Sequence, residues 1–287
     1  MKTYDLKSNL GVLAPLPTGM MPGGQIKGAL RAILFDIYGT LFVSGSGDVG
    51  ISTERFRPSD ALTALREHYR IPWSSTQMSQ KLFAAIRDQH QRAKSAGVTC
   101  PEIEIDRIWQ KILNWPDMHR VREMAAAYES IVNPTYPMPG LDQTLRTLRR
   151  RRITMGIISN AQFFTPGLFK TFLGSAPQDL GFARDLIFYS FEFGQAKPAL
   201  DIFRRAVDQL RRRKIPPESV LYVGNDIRND IQPAHTVGLQ TALFAGDRRS
   251  LRLRQDDPAC RAATPDLIVT DLRQLLDLDL RADGEHA

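Results

Sequence analysis

Four short apolar runs punctuate this chain, and each of them ends in polar residues. Ala32-Ile-Leu-Phe35 leads into Asp36 and then Gly39-Thr40, and Thr154-Met-Gly-Ile-Ile158 leads into Ser159-Asn160. Val220-Leu-Tyr-Val223 leads into Gly224-Asn-Asp226, and Thr241-Ala-Leu-Phe244 into Ala245-Gly-Asp247. Runs of this length bounded by turn formers predict buried strands. Between them, Leu141 to Arg149, Ala199 to Leu210 and Asn229 to Val237 carry apolar residues at helical spacing. Strands alternating with helices predict an α/β fold built on a parallel sheet with helices on both faces. Polar residues at the carboxyl ends of such strands face one crevice. Asp36, Ser159 and Asp226 are therefore predicted to meet there.

The predicted core is a Rossmann-like sheet made of residues 31–47 and 139–287. The stretch 48–138 reads as helical without strand interruption, through Pro58 to Tyr69, Met78 to Ala96 and Ile103 to Leu113, with Ser59 as an N-cap. It is far longer than the dozen or so residues that a crossover between parallel strands needs. It is expected to be an inserted all-helical cap domain over the crevice. Residues 1–30 hold Pro15, Pro17 and Pro22-Gly-Gly24 without a sustained period, and read as an N-terminal extension.

Composition adds limits. The chain has 287 residues, 43% hydrophobic and 24% charged, a mixture typical of globular proteins. Two distant cysteines, Cys100 and Cys260, form neither a disulfide framework nor a zinc knuckle. Prolines and charges interrupt any apolar run near the start, and Arg31 with Asp36 breaks the longest one, so a cytoplasmic protein without a membrane segment is expected. The formal charge of +7 sits largely in arginine runs at 149–152, 211–213 and 248–254. Without interleaved aromatic residues these read as solvated faces and not as a nucleic-acid surface. The histidines at 68, 90, 119, 235 and 286 form no metal-ligand spacing, and His235 reads as a helix residue. Oligomeric state is not legible.

The polar strand ends resemble four motifs of the haloacid dehalogenase-like hydrolases. Asp36-Ile-Tyr-Gly-Thr40-Leu41 is similar to the first, in which the leading Asp is the nucleophile; Ser159-Asn160 resembles the second, where a hydroxyl and backbone N–H groups hold a phosphoryl oxygen. Ser190-Phe-Glu192-Phe-Gly194-Gln-Ala-Lys197-Pro198 resembles the stretch carrying the third motif and its lysine. Gly224-Asn225-Asp226-Ile-Arg-Asn229-Asp230 resembles the fourth, an acidic metal-holding loop. The four stand in the family's order between about 31 and 245.

The resemblance implies that Asp36 forms an aspartyl-phosphate which water then hydrolyses. It implies Lys197 as the second catalytic group, with Thr40, Ser159 and Asn160 holding substrate oxygens. Mg2+ is the implied cofactor, on Asp36, the carbonyl of Tyr38, Asp226 and Asp230. The implied partner is a small phosphorylated metabolite. Two departures widen the reading. Tyr38 stands where family phosphatases usually carry a second Asp as general acid and base, a form similar to that of the 2-haloacid dehalogenases, in which Asp36 would attack carbon without a metal. Asn225 stands where many relatives have Asp, leaving Asn225 or Asp226 as the ligand. A metal-dependent phosphatase, a dehalogenase-type hydrolase and an inert protein that kept the fold all remain open at this stage.

Overall fold

The computed structural model describes residues 12–46, 60–261 and 263–282. Among the described residues, nine strands form two sheets: β1 (Gly23–Gly24), β2 (Ala32–Phe35), β3 (Phe42–Ser44), β4 (Thr135–Pro137), β5 (Thr154–Ser159), β6 (Phe182–Tyr189), β7 (Val220–Gly224), β8 (Gln240–Phe244) and β9 (Leu267–Val269). The main sheet has the order β1-β9-β8-β7-β2-β5-β6 and is parallel except for the β1–β9 pair. All four strands anticipated from apolar runs are present. β1, β6 and β9 are additions to the main sheet. β6 is the edge strand of the sheet and carries two consecutive exposed charged residues, Arg184 and Asp185, which break the continuous apolar signal.

Register brings the polar strand ends together. Phe35 of β2 lies opposite Ile157 of β5 and Val223 of β7. The next residues, Asp36, Ile158 and Gly224, therefore share one level at the carboxyl edge, with Ser159 one step beyond. Asp36 continues the ladder by donating its N–H to the Val223 carbonyl at 2.9 Å. The helices are α1 (Asp60–Tyr69), α2 (Ser75–Ser95), α3 (Ile105–Leu113), α4 (Met118–Val132), α5 (Leu141–Arg150), α6 (Pro166–Leu173), α7 (Ser190–Phe193), α8 (Leu200–Arg212) and α9 (Gln232–Thr236). α5 and α6 bury Leu141, Leu145, Leu148 and Phe169 against one sheet face, while α8 buries Ile202, Phe203, Ala206 and Leu210 against the other.

Helices α1 to α4 have a separate apolar cluster. Leu65, Met78, Leu82, Ile108, Trp109, Val121 and Met124 close it, with Phe163 and Phe164 of the core packed against its edge. α2 starts with a reciprocal capping box between Ser74 and Gln77, and Asp117 caps α4. The stretch expected to be free of strands contains β4, which pairs with β3 through Ser44 opposite Thr135. That antiparallel pair is where the chain leaves and re-enters the core. The N-cap anticipated at Ser59 lies outside the described residues.

The segment read as an extension is stitched to the core from residue 14 onward. Leu16 donates its N–H to Asp247 at 2.8 Å, Thr18 donates to the Ala245 carbonyl at 2.8 Å, and β1 pairs with β9. Its glycines and prolines hid this, because the contacts are made mostly by backbone and not by an apolar period. No helix among the described residues is long and apolar enough to cross a membrane.

Candidate active site

Lys197, on the connection that follows β6 and α7, brings the strand ends into one network. Its ammonium donates to Asp36 Oδ1 at 2.7 Å, Asp230 Oδ1 at 2.5 Å and the Tyr222 hydroxyl at 3.1 Å. Lys197, Asp36 and Asp230 are nearly fully buried. A lone ammonium would lose its charge there, but the two carboxylates outweigh burial and raise its pKa. Asn160 fixes the backbone on which this lysine rides, accepting from the Lys197 N–H at 2.7 Å. Ser159 donates to Asp36 Oδ1 at 2.9 Å. Both side-chain hydrogen bonds to Asp36 thus end on one oxygen, and Oδ2 has no protein partner among the described residues.

Asp230 is saturated. Its Oδ1 accepts from Lys197 and lies 3.0 Å from the Tyr222 hydroxyl, and its Oδ2 accepts the backbone N–H groups of Asn225 and Asp226, each at 3.0 Å. Burial still pushes its carboxyl up to about 7, against the pull of Lys197. Gly224 makes the close approach possible, since a Cβ there would lie 2.4 Å from Asp230 Cγ.

The fourth motif is arranged differently from the expected metal loop. Asp226 faces Arg254, whose guanidinium donates to Oδ1 at 3.0 Å and to Oδ2 at 2.6 Å. The same carboxylate accepts from the N–H groups of Arg228 and Asn229, as an N-cap does. Asp226 and Asp230 are therefore each committed to a protein cation. Among the described residues, no three His, Cys, Asp or Glu side chains gather as a metal site. The donor set Asp36, Tyr38, Asp226 and Asp230 does not fit Mg2+ as expected from the sequence, and the physical reason is that two protein cations hold the acids.

Thr40 also departs from its expected role. Its hydroxyl donates to Asn225 Oδ1 at 3.2 Å, and Asn225 donates to the Ser250 carbonyl at 2.5 Å. Asn225 thus props the nucleophile loop. At Gly39 the backbone has φ +81°, and a Cβ would lie 2.4 Å from Ser250 Cβ. Of the residues anticipated around the nucleophile, Lys197, Ser159, Asn160 and Asp230 reach the network, while Thr40 and Asp226 turn to other partners. Tyr38 is buried, hydrogen bonds to Thr165 at 3.0 Å, and has its phenol pKa raised chiefly by burial.

Two residues of the site escaped sequence reasoning. Tyr222 sits inside a strand and reads as core, yet its hydroxyl donates to the Ile158 carbonyl at 2.8 Å and accepts from Lys197. Arg254 belongs to an arginine run read as a solvated face. Arg248, Arg249 and Arg252 of that run instead line a cavity of about 960 Å³ between the helical module and the sheet edge. Asn160 and Ala196 line it from the core, and Leu82, Trp109 and Glu129 from the helices.

A family model of haloacid dehalogenase-like hydrolases matches residues 30–238. A ribulose-1,5-bisphosphate 5-phosphatase from Halopiger xanaduensis is 31% identical over 143 residues, covering 49% of this chain and 56% of that protein. The match thus spans only about half the length of that curated relative. Among solved structures, a 2-haloacid dehalogenase from Pseudomonas syringae pv. tomato DC3000 aligns with a TM-score of 0.51 at 18% identity, covering 86% of this chain and 97% of that one. A predicted phosphoglycolate phosphatase from Haemophilus somnus 129pt aligns with a TM-score of 0.48 at 15% identity, with coverages of 86% and 97%. With the model matching most of the chain, and with Asp36, Ser159, Lys197 and Asp230 gathered at the sheet edge, this chain belongs to the haloacid dehalogenase-like hydrolase family.

Proposed function

We propose that the protein hydrolyses a phosphate ester of a small metabolite through covalent attack by Asp36. The observation that carries this reading is the asymmetry of the nucleophile: Lys197 and Ser159 both hold Oδ1, which leaves Oδ2 to attack. Attack forms an Asp36–phosphorus bond and releases the alcohol, and water then cleaves the acyl phosphate. A carboxylate approaching a phosphate dianion meets repulsion, and the buried Lys197 charge beside Asp36 offsets it. Asn160 keeps that lysine in place. Arg248, Arg249 and Arg252 give the larger cavity a cationic rim suited to an anionic substrate. The α1–α4 module acts as the cap, and its inward side chains choose the substrate. A lid of this kind favours a small molecule over a macromolecule.

The phosphatase relative over half of the chain supports the same reading. The two acids that would hold Mg2+, Asp226 and Asp230, are ion-paired to Arg254 and Lys197. A second reading, hydrolytic dehalogenation with attack on carbon, is favoured by Tyr38 and by those same ion pairs. The size of the larger cavity counts against it, since a haloacid of three carbons would fill little of about 960 Å³.

The test is a panel of phosphorylated metabolites, assayed for phosphate release with Mg2+ and with EDTA, beside chloride release from 2-chloropropionate. Phosphate release that vanishes in Asp36→Asn is the expected result. Chloride release without phosphate release would replace this reading with the second.

A further inference from the structure

A phosphoester hydrolase needs a group that protonates the departing alkoxide and later takes a proton from water. Such a group works best with a pKa near the working pH. Tyr38 occupies the customary place, but burial holds its phenol far from that range. The other carboxyls around the crevice are committed. Asp230 is ion-paired to Lys197 and accepts two backbone N–H groups, and Asp226 is clamped by Arg254. Glu102 accepts from Ser190 at 2.5 Å, from Ile103 N–H at 2.8 Å and from Gln162 at 3.2 Å.

Glu129 on α4 is different. Its side chain lines both the large cavity and a smaller one of about 410 Å³ that Tyr38 also lines. Its one side-chain hydrogen bond among the described residues comes from the neutral amide of Asn133 at 3.1 Å. Asn133 in turn accepts from the Ser44 hydroxyl at 2.8 Å and the Ser46 N–H at 3.1 Å. Ser44 ends β3, the strand that leaves the nucleophile loop, so Glu129 is tied to the segment that carries Asp36. Its charge is felt at Tyr38, as is that of Asp36.

We propose that Glu129 is the general acid and base of this site, supplied by the helical module in place of the nucleophile loop. The assignment rests on the phosphoester reading above. As Asp36 Oδ2 bonds to phosphorus, the ester P–O bond breaks and the Glu129 carboxyl gives its proton to the leaving oxygen, yielding the alcohol. The Glu129 carboxylate then takes a proton from water, whose oxygen attacks phosphorus. The Asp36–phosphorus bond breaks, and inorganic phosphate and the Asp36 carboxylate are released. Burial pushes the Glu129 carboxyl up to about 7, which suits both halves of this cycle. The other ionisable groups that line the smaller cavity with it are Tyr38, Tyr69, Arg122 and Glu123. On the larger one they are His90, Glu102, Tyr128, Arg248, Arg249 and Arg252.

The experiment compares wild type and Glu129→Gln on p-nitrophenyl phosphate, whose leaving group needs no proton, and on alkyl phosphates from the metabolite panel. For alkyl phosphates, kcat/KM should fall about a hundredfold or more. For p-nitrophenyl phosphate, kcat/KM should stay within a few-fold, while kcat falls and a burst of p-nitrophenolate equal to the enzyme concentration appears. Thermal melting checks folding; if Glu129→Gln melts early, Glu129→Asp, which keeps the acid, must bring the alkyl-to-aryl ratio back towards wild type. Equal losses of kcat/KM on both substrates, or no loss, would overturn the assignment. Wild-type enzyme inactive on every phosphate ester would overturn the phosphoester reading and this assignment with it.

Discussion

Lys197 Nζ lies 2.7 Å from Asp36 Oδ1, although the two residues are separated by 161 positions in the chain. The ammonium is shared with Asp230, so removing it leaves two buried carboxylates facing each other. Lys197→Met should lower kcat by about a hundredfold or more through loss of charge stabilisation. It should also destabilise the fold by about 3 kcal/mol at pH 8, the scale for breaking a buried pair. At pH 5, where a carboxyl takes up a proton, the stability loss should shrink. Urea unfolding at the two pH values checks this, and an equal loss at both would contradict it.

The clamp between Arg254 and Asp226 bears on the cofactor. Asp226→Asn keeps the helix cap and loses only charge, so activity should stay within about tenfold of wild type. Phosphate release should proceed at similar rates in Mg2+ and in EDTA. Release that stops in EDTA, together with inactive Asp226→Asn, would mean that Asp226 exchanges Arg254 for a divalent cation during turnover.

Glu129 predicts a pH dependence of stability. Its carboxyl lies at about 7 in the folded protein against an ordinary 4.5. Between those values the folded state holds the proton more tightly than the unfolded one, so stability falls as pH rises through that window. Glu129→Gln removes this contribution. Relative to wild type it should gain on the order of 3 kcal/mol between pH 4 and pH 8. Parallel unfolding profiles of the two proteins would contradict the burial of a lone acid.

Gly39 is the backbone counterpart of this site. Its φ of +81° and the contact with Ser250 leave no room for a side chain. Gly39→Ala should destabilise by about 1–3 kcal/mol and displace Asp36 from Lys197, costing activity beyond the stability effect. Measured kcat at a temperature where the variant is fully folded separates the two.

Legibility in the sequence followed the regularity of the backbone. Asp36, Ser159 and the 224–230 loop sit at the ends of apolar strands, and the register of a parallel sheet carries them to one edge, so their convergence was readable from pattern alone. Lys197 was reachable only by resemblance, because no periodic element presents it. The fate of Asp226 was hidden because its partner, Arg254, sits in an irregular segment with a φ of +52°. Tyr222 was hidden for the opposite reason, as a polar atom carried within a buried strand. Glu129 looked like an ordinary polar position of α4. Its isolation becomes visible only once the surrounding acids are paired off.

The most direct test of covalent catalysis is to quench wild-type enzyme with acid during turnover of p-nitrophenyl phosphate, reduce it with borohydride, and read position 36 by peptide mass spectrometry. An acyl phosphate at Asp36 is reduced to homoserine, and that conversion is the expected result. Phosphate release with Asp36 unchanged, under conditions that reduce a control acyl phosphate, would contradict the account.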